Sequence, residues 1–230
     1  MIENITEWKN QVQEYNNHLN QILKKDSNFK DLYFGFEVFD GKPKINPEIL
    51  FLGINPGRGN GKFERDTFQT DQISYLDIYN EDYRDDYPNT YHLAEKTIKF
   101  FRLIGWDEQK IKSVFENGVV KSNFYHLATE NSAHLKKVLS DINHSKNYFE
   151  KSAEFSIQLI NILKPKTVIL EGKSIFENIV EQCYDKKVWN ENGFGYYFDE
   201  KNNTNIIGYS RRNFTNENRT HFTNKLKEIL

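Results

Sequence analysis

The run Ile49-Leu50-Phe51-Leu52 is continuously apolar and stops abruptly in Gly53-Ile54-Asn55-Pro56-Gly57. A strand with one wet face alternates apolar and polar residues, so an unbroken run predicts a strand covered on both faces, as at the centre of an α/β sheet. Gly53 lets a neighbouring group approach the backbone closely. Pro56 has no amide hydrogen and Gly57 accepts backbone angles closed to other residues, so the strand has to end by Asn55. One polar side chain is thereby delivered to the carboxyl end of a buried strand, the edge where open α/β sheets bind ligands.

The rest of the chain supplies companions for that strand. Residues 3–24 place Ile5, Trp8, Val12, Tyr15, Leu19, Ile22 and Leu23 at helical spacing, and a short strand over Tyr33 to Phe39 is expected to wrap the sheet edge. Residues 58–89 show no sustained period yet carry Phe63, Phe68, Ile73, Tyr75 and Leu76, which predicts a lid or substrate-contacting loop. A helix over residues 90–104 stops by Gly105, Asp107 caps a second through Phe115, and Val119 to Phe124 is a strand whose polar end is Asn123. Next come a helical turn over Leu135 to Leu139, a helix over Tyr148 to Leu163 and a strand over Thr167 to Leu170. A helix from Gly172 through Cys183, a strand at Ile206 and Ile207 ended by Gly208, and a helix over Thr220 to Ile229 complete the chain. Strands alternating with helices imply a three-layer α/β/α sandwich around a mainly parallel four-stranded sheet, and 230 residues suit a single domain over 1–230.

Net charge is −2, so no global positive field draws the chain to nucleic acid, and any such contact has to use local patches. The lone Cys183 builds neither a disulfide nor a thiolate cluster, and no charged-then-apolar leader opens the sequence; a reducing cytoplasm is expected, with no metal and no cofactor. No apolar stretch is long enough to span a bilayer.

The turn Gly53-Ile54-Asn55-Pro56-Gly57 resembles the first motif of the uracil-DNA glycosylase superfamily, in the form carried by its mismatch-specific uracil and thymine branch. The order of the downstream segments is similar as well: a long loop, an aromatic-bearing helix, a strand ending in Asn123, then Leu163-Lys164-Pro165-Lys166-Thr167-Val168-Ile169-Leu170-Glu171-Gly172-Lys173, which resembles the family's helix, Pro, strand and Gly-Lys segment. Together these cover most of residues 45–230. The family closes on His-Pro-Ser or Asn-Pro-Ser, in a loop that enters the minor groove. Here Gly208-Tyr209-Ser210 stands instead, with Arg211, Arg212 and Asn213 after it. Either Gly208 takes the place of the His or Asn, or the register shifts and Tyr209 does; in both cases the neutral group that stabilises charge on the departing base is missing.

The resemblance implies a glycosylase-like fold and a monofunctional DNA glycosylase, hydrolysing the N-glycosidic bond of a flipped-out base to leave an abasic site. The altered last motif points to a mismatched or modified base rather than uracil, and a modified base of phage DNA would make the role defence. Asn55, in the catalytic turn with Pro56, would position the attacking water; alone, an Asn there also simply closes a turn. Gly53, Ile54, Gly57, Asn123, Tyr209 and Ser210 would hold the base, Asn123 by its pairing edge, with Phe68 or Phe63 stacked on its face. Arg58, Lys62, Lys173, Ser210, Arg211 and Arg212 would grip phosphates, and Arg212 or Phe214 would fill the gap in the stack. His126 could replace the missing imidazole or be structural. The expected partner is DNA, bound by a monomer. The rival reading is an inactive member of the same superfamily that binds DNA or a partner protein.

Overall fold

The computed structural model describes residues 4–25, 27–29, 31–57, 65–79, 92–141, 145–212 and 214–230. One sheet organises them. Its centre is a parallel run of four strands in the order β4 (Val119–Asn123), β2 (Ile49–Gly53), β6 (Thr167–Leu170) and β8 (Thr204–Tyr209). These are the four strands the apolar runs predict. The sheet has eight strands, however, not four: β1 (Tyr33–Asp40), β3 (Arg65–Gln69), β5 (Leu127–Thr129) and β7 (Phe194–Asp199) complete it. β1 does not wrap the edge either. It pairs antiparallel with β4 and β5, and β3 forms the edge beyond it.

Both faces are covered, which is why β2 needs no polar residue. Leu50 and Leu52 point into one apolar cluster with α1 (Ile5–Lys25), α4 (Ser132–Asp141), α5 (Ser145–Leu163) and α6 (Lys173–Phe176). Ile49 and Phe51 point into the other, with a 3₁₀ turn over Ser74–Tyr79, α2 (His92–Leu103), α3 (Glu108–Asn117) and α7 (Asn216–Ile229). Asp107 caps α3 as its sequence position predicts, accepting from the Lys110 amide at 2.7 Å. The α1 face is fixed by Trp8, which is fully buried and donates its indole N–H to the Phe155 carbonyl at 3.0 Å. Among the described residues no helix is long and apolar enough to cross a membrane.

Gly195 on β7 and Gly208 on β8 are register partners, and a Cβ on either would lie 2.5 or 2.6 Å from the ring of Phe176. The pair makes room for a buried aromatic ring. Gly208 is therefore tied to packing on the α6 face.

Candidate functional site at the carboxyl edge of the sheet

Alternation and register together determine what gathers at the ends of the parallel strands. Phe51 and Gly53 share one face of β2, as Lys121 and Asn123 do on β4; Ile169 and Ile207, in the same apolar cluster as Phe51, put Glu171 and Tyr209 on that face of β6 and β8. Gly53 pairs with Asn123, Leu52 with Leu170, and Leu170 with Gly208. The last row is thus Asn123, Gly53, Glu171 and Tyr209, read across four adjacent strands. Between β2 and β4 the chain passes through the edge strand β3 and then the 3₁₀ turn, α2 and α3 on one face, whereas from β6 to β8 it passes through α6 on the other. Gly53 and Glu171 flank the point where the connections diverge, where an open α/β sheet leaves its binding crevice.

Glu171 is fully buried and anchors this row. Its Oε1 accepts from the hydroxyls of Tyr75 at 2.6 Å, Thr97 at 3.3 Å and Tyr209 at 3.3 Å, whereas Oε2 has no partner among the described residues. Burial first, and the Glu171 carboxylate second, push the Tyr75 and Tyr209 phenols well above their ordinary range, so both remain donors. One step down the sheet Lys121 pairs with Asp40 and lies 4.5 Å from the centroid of the Tyr75 ring. Burial pulls the Lys121 ammonium down, but Asp40 and Glu171 outweigh it and hold it charged; burial raises Asp40, but Lys121 and Ser74 bring its carboxyl below the usual range. A buried anion is compensated here by a buried cation, the condition under which both remain ionised.

Asn123 is buried beside Glu171. The position a Cβ on Gly53 would occupy lies 2.6 Å from Asn123 Oδ1 and 3.4 Å from Glu171 Oε2, so glycine is what lets both groups lean over the strand end. The Asn123 amide makes no hydrogen bond to a described residue.

Asn55 has a defined orientation. Its Nδ2 donates to the Pro56 carbonyl at 2.9 Å, the Thr129 carbonyl at 3.3 Å and Thr129 Oγ1 at 3.0 Å. Thr129 Oγ1 gives its own proton to the Asn131 carbonyl, so it can only accept from Asn55, and the flip of the amide is settled. Oδ1 remains as an acceptor with no partner among the described residues. The Pro56 carbonyl also takes the Thr129 amide, tying the turn to β5.

The other expected residues separate. Ile54 packs on Gly172 and its carbonyl takes the Tyr125 amide, which makes it a support of the turn. Gly57 is exposed with open space around it. Phe68 is not brought to the row: it packs on Phe39 at 5.8 Å, in the cluster on the α1 face, with Lys9 5.4 Å from its ring. Phe214 is no free wedge, since it is packed among Phe100, Tyr209 and Phe222. Ser210 bonds the Arg212 carbonyl, and Arg211 and Arg212 are exposed. Lys173 lies 3.5 Å from Glu177 and 5.5 Å from the Trp189 ring. His126 belongs to the core on the α1 face, edge-on to Trp8 and 3.3 Å from Asn16, and burial pulls it down to about 4. Arg58, Lys62, Phe63 and Asn213 lie outside the described residues.

Ser210, Arg211 and Phe214 line a groove of about 640 Å³ together with Lys96, Lys99 and Arg219, over a floor that includes Phe100 and Tyr209. Asn55 and Asn123 do not line it. None of its four cations is ion-paired with a described residue, so together they make a local positive patch on a chain of net charge −2. Tyr209 joins the two places, its ring in the groove and its hydroxyl on Glu171.

Sequence reasoning gives no role to Glu171, Tyr75, Thr97, Lys121, Thr129 or the groove residues Lys96, Lys99 and Arg219. One signal was available for Glu171: a charge directly after a buried apolar strand, on the face of Ile169 by alternation. No protein-family model and no curated protein matches this chain.

Proposed function

We propose that the chain is a DNA glycosylase that hydrolyses the N-glycosidic bond of an extruded mismatched or modified base, leaving an abasic site; phage DNA is the natural source of such a base in a defence role. The observation that carries this reading is the pinned amide of Asn55. Its nitrogen is consumed by three acceptors, which leaves Oδ1 as a fixed acceptor for one proton of a water. A water held by an oriented dipole attacks the sugar carbon as positive charge develops there, and needs no strong base if the base is already departing. The unbonded amide of Asn123, one strand over, offers a donor and an acceptor to a base edge. The cationic groove beside Tyr209 supplies the local contacts that a slightly acidic protein needs to hold phosphates.

Duplexes carrying a panel of modified and mismatched bases, treated with alkali after incubation, test the reading. Strand breaks at one class of base, lost in an Asn55→Ala protein that still unfolds cooperatively, are expected; no breaks at any base would remove it. The rival is a binding protein of the same architecture without catalysis. It is favoured by Tyr209, which fills the end of the last strand with a buried phenol that stays protonated.

A further inference from the structure

We infer that Glu171 and Asn123 form a reader for an exocyclic amino group, so that the substrate base is amino-bearing, of the cytosine or adenine type, rather than a diketo base such as uracil or thymine. The inference rests on the glycosylase reading above and names the substrate class of that site. Two acceptor oxygens converge on Gly53, Asn123 Oδ1 from one side and Glu171 Oε2 from the other, and Oε2 has no hydrogen-bond partner among the described residues. Glu171 is fully buried and its other oxygen is already taken by three hydroxyls, so Oε2 gains nothing from turning. Leaving a buried acceptor unmade costs more than a typical hydrogen bond contributes, which favours a ligand that supplies the donor.

An exocyclic amine carries two N–H groups on one nitrogen and can donate one to each oxygen. A keto oxygen at the same ring position brings an acceptor against two acceptors and is repelled. The Lys121 ammonium, held charged in part by the Glu171 carboxylate, places a compensating cation near the acceptor pair. Carboxylates reading the cytosine amino group in duplex DNA use the same chemistry.

The test uses matched pairs differing only in amino against keto: cytosine and uracil, 5-methylcytosine and thymine, 5-hydroxymethylcytosine and 5-hydroxymethyluracil, adenine and hypoxanthine. Each is placed in one duplex position, on normal sugars for excision and on 2′-fluoro sugars, which resist hydrolysis, for binding. The wild-type protein is expected to prefer the amino member of the responsive pair by about 5- to 150-fold. Glu171→Gln, checked by melting temperature, is expected to lose that preference. Equal treatment of the two members, or a keto preference, by the wild-type protein overturns the inference, as does a preference that a folded Glu171→Gln protein retains. A water bridging the two oxygens would give the first of these results. Amino-selective binding with no excision would instead sink the glycosylase reading and leave the reader standing.

Discussion

Gly53→Ala separates the role of the strand end in the fold from its role in the site. The new methyl would sit 2.6 Å from Asn123 Oδ1, and an ordinary contact of carbon with oxygen is about 3.4 Å, so the amide has to retreat by about 0.8 Å. Glu171 Oε2, at 3.4 Å, can stay where it is. Gly53 is not one of the positive-φ glycines, so the backbone adds no strain. Asn123 makes no side-chain hydrogen bond to a described residue, so its displacement breaks none among them. The stability cost should fall near about 1 kcal/mol, the low end for overpacking. Displacing a recognition group by nearly an ångström costs on the order of 100-fold in rate. Urea denaturation and single-turnover excision on one substrate measure the two quantities. A variant that loses several kcal/mol, or one that keeps full activity, would refute the idea that Gly53 exists to seat Asn123.

The same geometry fixes four further outcomes. Gly208→Ala should destabilise by about 1–3 kcal/mol through its clash with Phe176, and Phe176→Leu should recover part of that loss in a double-mutant cycle; additive effects would contradict the packing role. Lys121→Met should cost about 3–5 kcal/mol, because Asp40 is left buried without its cation, and denaturant melts at neutral pH read this directly. His126 has its pKa pulled from 6.5 to about 4, so the unfolded chain binds more protons between these values and stability must rise with pH across that window. The His126 share is about 3 kcal/mol, fully present above pH 6.5 and lost as pH falls to 4; the slope should flatten in His126→Gln. Lys99→Ala combined with Arg211→Ala should lower the slope of log binding constant against log salt by about 1.4 to 1.8, from two lost phosphate contacts, and an unchanged slope would take the groove out of the DNA path.

The parallel centre was legible because apolar runs such as Ile49 to Leu52 and Thr167 to Leu170 have no other stable destination than a sheet covered on both sides. β7 escaped notice because its half-exposed tyrosines and Gly195 look like loop, although Gly195 is there for Phe176. β5 is only three residues long and has meaning only through its pairing with β1. Asn55 was visible as a polar residue at a strand end, yet its orientation depends on Thr129, 74 positions later, which no local pattern reveals. Glu171 was hidden for the same reason, since Tyr75, Thr97 and Tyr209 meet it from three separate elements. Phe68 misled because aromatic character does not say which face of the sheet a side chain joins.

Everything proposed for the Asn55 turn depends on its releasing a base from DNA. Incubating the protein with DNA from cells and from phages with modified genomes, then searching the supernatant for free bases by mass spectrometry, tests this without choosing a substrate beforehand. One released base is expected, matched by abasic sites in the DNA and absent with Asn55→Ala. No free base from any of these DNAs, with wild-type and Asn55→Ala proteins binding them equally, would rule out the glycosylase role.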